Sequence, residues 1–491
     1  MKRKRSIYLL IGLLVFAAGC AGHYVNKPIT DTKANDAYYE TNPDLGGVTD
    51  DIHVVLAFSG GGTRAAAMSY GVLKSLSQIK VQSAQGEVRL LDEVDIISSV
   101  SGGSYTAAYY GLFGDRIFED FEDKFLKADI TGMLKWRLFS PFHWPKYWSA
   151  RYNRSEMTAE VMDKVLFEGK RYRDLIQPGR PVINVQATDA SLGEKFTFSP
   201  SEFRLICSDL LDFPVSRAVV SSSAVPLVFS TVVLKNYAGQ CNYVEPEWAR
   251  DALTSFDWDS RVDKEAARIH SYLDAENRPY IHLLDGGLTD NLGVRSHINR
   301  LFTRGEHEDT VDVDPGDRTP DMRFTDDDEA ALVRHEVDDV KKVVYIVVNA
   351  EAAKREDWDR RFTNIGLMDT ALISTSVGMS QFNFSTIRFL ERRLEKWDLE
   401  MMEHHCAAWE PNDDESDLDE LELKCRDIET YLIHLDFDLV NDKDERKFFK
   451  NIPTSFTLEE EQVDRLIEVA NTMLVNSKEL QRLVEDLSTR Y

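Results

Sequence analysis

The chain is poor in cysteine, with 5 in 491 residues, and no Cys-x-x-Cys pair occurs. That excludes a disulfide-built scaffold and an array of structural zinc sites. It is also short of positive charge: 58 Lys and Arg stand against 84 Asp and Glu, a net charge of −26. Phosphate backbones are repelled by such a surface, so DNA and RNA are excluded as partners. No apolar run reaches the ~18–20 residues that a bilayer-spanning helix needs. What is present is a 43% hydrophobic, 10% aromatic composition, enough for a sizeable core, in a chain long enough for a large domain with additions or for two domains.

The first residues read as an address. Lys2, Arg3, Lys4 and Arg5 form a positive head, and Ile7 to Ala18 form an apolar stretch too short to span. This is the pattern of a secretory signal. It ends in Ala17-Ala18-Gly19-Cys20, which resembles the lipobox of bacterial lipoproteins, although Ala17 stands where Leu is usual. The resemblance implies removal of residues 1–19 and acylation of Cys20, which would hold the protein at a membrane facing the periplasm. Ala21 implies the outer membrane rather than the inner. In such an oxidising compartment Cys207, Cys241, Cys406 and Cys425 can pair, with three connectivities open. Nearness in sequence favours Cys207 with Cys241 and Cys406 with Cys425.

Residues 21–50 are polar, carry Pro28, Pro43 and Gly46-Gly47, and read as a tether. From His53 the pattern changes. His53–Phe58, Val94–Ile97, Val182–Val185, Ile281–Leu284 and Val343–Val348 are short continuous apolar runs, as expected of strands buried on both faces. Helical stripes separate them over Ala65–Ile79 and Tyr105–Leu112. Alternating strands and helices predict an α/β fold with a mostly parallel central sheet covered on both sides. Residues 305–340 and Asp413–Glu420 are acidic and loop-like without EF-hand spacing, and read as solvated loops rather than calcium sites. After about residue 370 strand signals fade, and 385–403 and 457–487 look helical.

Three motifs carry chemistry. Ser59-Gly60-Gly61-Gly62-Thr63-Arg64 lies between the first strand and the first helix, where glycine amides and a helix N-terminus can face an anion. No Lys follows at the place a nucleotide-binding P-loop requires, and Ala65 replaces the last glycine of a dinucleotide fingerprint. Ser99-Val100-Ser101-Gly102-Gly103 follows a strand and precedes a helix, the setting of a nucleophile elbow, with Ser101 at its centre. Asp285-Gly286-Gly287 follows the Ile281–Leu284 strand and supplies an acid, which matters because a serine hydroxyl is a poor nucleophile until a base takes its proton.

In this order the motifs resemble the patatin-like family and its relatives, the cytosolic phospholipases of the A2 kind. Arg64 extends the match, as do Val185-Gln186-Ala187-Thr188-Asp189 with Gly193 and Phe196, and Ala218–Phe229 with Ser221, Ser222, Ala224 and Pro226. The resemblance covers about residues 52–350 and implies a three-layer patatin-like sandwich over 51–395. A tether over 20–50 precedes it and a helical, acidic extension over 396–491 follows. It implies hydrolysis of carboxylic esters of lipids, with membrane phospholipids or other lipid esters as substrates and no cofactor or metal. Carried across residue by residue, Ser101 is the nucleophile and Asp285 its base, the amides of Gly60, Gly61 and Gly62 hold the oxyanion, and Arg64 faces a lipid phosphate.

Other readings stay open. A hidden triad has His297, His307 and His335 available by order, none in a recognisable block. His404-His405 beside Cys406 are adjacent on a helix and point about 100° apart, a poor arrangement for one metal ion. Phe118 to Tyr152 is rich in aromatics interleaved with Lys and Arg, fitting a lid, a membrane interface or a packed subdomain. A serine esterase or thioesterase on a non-lipid ester, and an inactive tethered binding protein, are the alternatives.

Overall fold

In the computed structural model the described residues are 24–35, 47, 52–83, 86–141, 152–252, 261–295, 341–352, 362, 366–407 and 429–488. Each apolar run singled out above forms a strand. In chain order these are β1 (Ile52–Phe58), β4 (Val94–Val100), β5 (Val182–Asp189), β8 (Tyr280–Asp285) and β9 (Lys342–Asn349). Shorter strands are β2 (Lys80–Ser83), β3 (Gly86–Arg89), β6 (Glu194–Thr197) and β7 (Val232–Lys235), and β10 is Glu429–Asp436. The main sheet runs β10-β9-β1-β4-β5-β8-β7, with β6 beside β5; β2 and β3 form a separate hairpin.

The five strands from β10 to β5 are parallel, β8 and β6 run antiparallel to β5, and β7 pairs antiparallel with β8. The sheet is thus mostly parallel, as the sequence predicts. β1 shows why its run is continuous: Val54, Leu56 and Phe58 enter one apolar cluster while Val55 and Ala57 enter another on the opposite face. A fully buried side chain of this size contributes about 1.5–3 kcal/mol. Helices α1 (Thr63–Leu76) and α2 (Gly102–Phe113) cover the first face. The second is covered by a long helix over Leu367–Ala407, through Ile387, Leu390 and Leu394. No helix among the described residues is long and apolar enough to cross a membrane.

Two expectations need correcting. The stretch 396–491 is not an appended helical extension, because β10 pairs with β9 in parallel along its whole length. The long helix Leu367–Ala407 also runs through the expected boundary at 395. β10 escaped notice because Glu-Thr-Tyr-Leu-Ile-His-Leu-Asp alternates: Tyr431, Ile433 and Leu435 are buried and their neighbours half-exposed, as at a sheet edge. The C-terminal helix over Glu460–Val475 packs on α1 and buries Val463, Leu466 and Ala470.

Nor is residues 21–50 a free tether throughout. Over 24–35 it is stitched to the body: Asn26 bonds Ser208 and Lys235, Asn35 bonds the Ser208 carbonyl, and the Ile29 amide bonds Cys207 O at 2.9 Å. Ile29 packs against a disulfide joining Cys207 and Cys241. The aromatic stretch divides. Phe121 and Phe125 are fully buried, whereas Trp136 and Phe139 are 67% and 73% exposed on the helix Ile130–Phe139. Residues 1–23 with Cys20, both acidic loops, His297, His307, His335, Cys425 and the side chains of His404, His405 and Cys406 lie outside what is described.

Candidate active site

β1 and β4 are neighbours and parallel, with Phe58 opposite Ser99, so the glycine-rich turn and the serine turn leave the sheet side by side. The acid arrives differently from a strand of an all-parallel sheet. β8 runs antiparallel to β5 and stops where Asp285 is level with Ala187, one row from the Val100–Gln186 pair. Ser101, β5 and Asp285 therefore lie along one line across the sheet.

Ser101 sits at φ 48° and ψ −117°, a left-handed conformation that a residue with a side chain adopts only under constraint. The constraint is visible. Its amide donates to Ser222 Oγ at 2.7 Å, and Ser222 in turn donates to the Gln186 carbonyl at 2.5 Å. The Ser101 hydroxyl donates to Asp285 Oδ2 at 2.9 Å. The other oxygen, Oδ1, accepts the Gly287 amide at 2.8 Å. Both residues are buried, at 6% and 5% exposure. Burial raises the Asp285 pKa to about 6, against the opposing pull of the Gly287 amide and the Ser101 hydroxyl. Among the described residues no histidine bonds either member: His53 faces Asp95, His270 faces Glu245 and His282 faces Thr231.

The glycine turn closes over this pair. A Cβ on Gly102 would stand 2.0 Å from the Gly62 carbonyl oxygen, so two backbones touch where only glycine fits. Gly62 itself lies at φ 62°, open to glycine and strained for other residues. The three glycines are not equivalent. The Gly60 amide is taken by Asn291 O at 3.0 Å, whereas among the described residues the Gly61 and Gly62 amides have no acceptor. Arg64 is turned inward and is only 2% exposed. Its guanidinium bonds Ala350 O at 2.8 Å, Ile452 O at 2.5 Å and Thr454 Oγ1 at 3.1 Å, so the lipid-phosphate role expected from the sequence is not carried forward.

Two residues that sequence reasoning did not assign belong here. In the sequence Ser222 reads only as part of a Ser-rich helix; in the fold it anchors the Ser101 amide, and its carbonyl takes the Gly286 amide at 3.0 Å. Asn291, six residues past the acid, is 4% exposed and places its side-chain oxygen beside both Gly60 and Gly287.

Residues 56–298 match the family model for patatin-like phospholipase. Ser101, Asp285 and the strands from β4 to β8 fall within that span, which is a patatin-like phospholipase domain, while β9 and β10 of the same sheet lie beyond it. Among solved structures it resembles human GIVD cytosolic phospholipase A2, with a TM-score of 0.42 and 12% identity over 93% of this chain and 65% of that one. The same enzyme with methyl gamma-linolenyl fluorophosphonate scores 0.37 at 11% identity, covering 93% and 62%. VipD from Legionella pneumophila scores 0.30 at 12% identity, covering 90% and 68%. The chain thus spans about two thirds of the length of the first of these. No curated protein matches the sequence.

Proposed function

We propose that the protein is a lipid acyl hydrolase that cleaves carboxylic esters, phospholipids foremost, through a Ser101–Asp285 dyad. The observation that carries the proposal is the 2.9 Å hydrogen bond from the Ser101 hydroxyl to a buried Asp285 carboxylate, at the tip of a constrained elbow. A carboxylate whose pKa stands near 6 is a better proton acceptor at neutral pH than an ordinary one.

Ser101 Oγ attacks the acyl carbonyl while its proton passes to Asp285. The developing oxyanion is held by the Gly61 and Gly62 amides; such donors are each worth ~10²–10³ in rate. Collapse breaks the ester bond, and the departing alkoxide takes the proton from Asp285, leaving an acyl-serine. Water then gives a proton to Asp285 and adds to the acyl carbon; fatty acid leaves and Ser101 regains its proton. Histidine is not needed at any step.

The same proposal includes the address: a signal over 1–19, acylation at Cys20, and an outer-membrane position facing the periplasm. The Cys207–Cys241 disulfide supports an oxidising compartment. Metabolic labelling with a fatty acid, lost in Cys20→Ser, tests it; equal labelling of the variant refutes it.

The activity is tested with a fluorophosphonate probe on wild type, Ser101→Ala and Asp285→Asn, together with fatty-acid release from phosphatidylcholine vesicles against p-nitrophenyl butyrate. Wild-type labelling that vanishes in Ser101→Ala, with vesicle hydrolysis exceeding that of the soluble ester, is expected. Labelling without vesicle hydrolysis would reassign the substrate to a non-lipid ester. No labelling of folded wild type would overturn the enzyme and leave a binding protein.

A further inference from the structure

The family match ends at residue 298, yet the glycine turn is braced by residues much later in the chain. Segment 452–457, Ile-Pro-Thr-Ser-Phe-Thr, crosses the outside of that turn. The Thr63 amide, first of α1, donates to Ser455 O at 2.9 Å. The contact is close enough that a Cβ on Gly62 would meet Ser455 O at 2.6 Å. On the other side of the turn, a Cβ on Gly61 would come within 3.1 Å of Arg64 Nη2 and 3.4 Å of Ala350 O. Arg64 therefore lies under Gly61 and reaches from there to Ile452 O and Thr454 Oγ1. One side chain ties the turn, the end of β9 and the late segment together.

The strap continues past the turn. Phe456 meets Tyr105, one helical turn beyond the nucleophile, edge-on at 5.7 Å, and meets Phe229 at the same distance. Thr457 Oγ1 accepts the Thr131 amide at 3.0 Å and fixes the far end. Bonds at both ends and an aromatic wedge between them leave the segment one position relative to Gly61 and Gly62.

An oxyanion donor works only at a fixed distance from the place where charge develops, and a misplacement of about 1 Å costs on the order of 10²-fold in rate. A turn of three glycines has no side chains with which to hold itself. We infer that segment 452–457, clasped by Arg64, is a working part of the active site that sets the position of the Gly61 and Gly62 amides, and that Arg64 is a positioning residue, not a phosphate ligand. Arg suits this role because its planar fork supplies several donors in fixed directions to separate acceptors. Lys, a single point charge, satisfies fewer of them.

The inference rests on the proposed hydrolase reading, and fluorophosphonate labelling separates the two. The variants are Arg64→Lys, Arg64→Gln and the double variant Pro453→Gly with Thr454→Gly. The last changes two exposed positions, loosens the strap and leaves Arg64 its bonds to Ala350 O and Ile452 O while removing the one to Thr454 Oγ1. Expected is a labelling rate down about 10²-fold in Arg64→Gln, partly restored in Arg64→Lys, and down about 10-fold in the strap variant. With vesicles or soluble ester, kcat falls while KM changes less than about 3-fold, since a phosphate ligand would instead raise KM for phospholipid alone. If the Arg64 variants do not fold, the strap variant decides. Wild-type labelling and kcat in a folded strap variant overturn the inference, as does a loss confined to phospholipid KM in Arg64→Gln. Wild type that fails to label overturns the hydrolase reading instead.

Discussion

Asp285 divides its two oxygens between Ser101 and Gly287, receiving the hydroxyl at 2.9 Å and the amide at 2.8 Å. The amide fixes the plane of the carboxylate, a task that a third residue performs for the imidazole of a triad. The oxygen left for Ser101 is the only basic atom bonded to that hydroxyl among the described residues, so the pH behaviour of the site reduces to one group.

That group sets the rate profile. With the Asp285 pKa raised to about 6 by burial, the rate of fluorophosphonate labelling is expected to be flat above about pH 7 and to fall about tenfold per unit well below 6. A profile still flat at pH 5 would mean an ordinary carboxylate, or a different base.

Stability carries the opposite sign. The folded-state pKa lies above the ordinary 3.8, so the native protein holds a proton that the unfolded chain releases between about pH 4 and 6. This contribution is complete below about pH 4 and is lost as pH rises through 6, a difference of up to about 3 kcal/mol. Asp285→Asn is therefore expected to be inactive yet to gain in Tm relative to wild type on going from pH 4.5 to 8. Calorimetry of both proteins at the two pH values checks this; a constant Tm difference refutes it.

Gly102→Ala is expected to fail at the contact between the two turns. Its Cβ would lie 2.0 Å from Gly62 O, a backbone atom with no rotamer to escape into. The turns must separate, and labelling of Ser101 should fall by at least about 10²-fold. Labelling at the wild-type rate would show that the two turns are not held in contact in solution.

The disulfide joins residues 34 apart and sits under the docked segment 24–35. Replacing Cys207 and Cys241 together by Ser is expected to remove about 2–4 kcal/mol. Chemical denaturation of wild type with and without reductant, beside the double variant, is the check: reductant should bring wild type to the variant and leave the variant unchanged.

How much of this was legible depended on whether a residue's role is local. β1, β4 and β9 could be read because a strand buried on both faces must be apolar throughout. β10 could not, since its exposed side breaks the run with Glu429, Thr430 and His434. Asp285 was found from its motif, but the direction of β8 was not, because a strand's own residues do not encode which way its neighbour runs. Arg64 was visible as a residue type, and its inward turn was not: its acceptors are carbonyls of Ala350 and Ile452, groups that every residue carries. Ser222 and Asn291 act on backbone atoms and leave no spacing to recognise. Asn26 and Asn35 looked like linker composition because polar side chains that bury themselves on carbonyls read the same as solvated ones.

The strand order also governs when the protein can come into being during synthesis. β1 lies between β4, made soon after it, and β9, made late; the Ser59 hydroxyl that receives the Ala350 amide waits 291 residues for its donor. Arg64 waits 388 residues for the Ile452 carbonyl. A nascent chain halted anywhere before β9 carries β1 as an open edge, an invitation to wrong pairing. Loop closures of that length make the β1–β9 pairing a late event, so the glycine turn, already beside the serine turn through β4, gains its second flank only after β9 has been made.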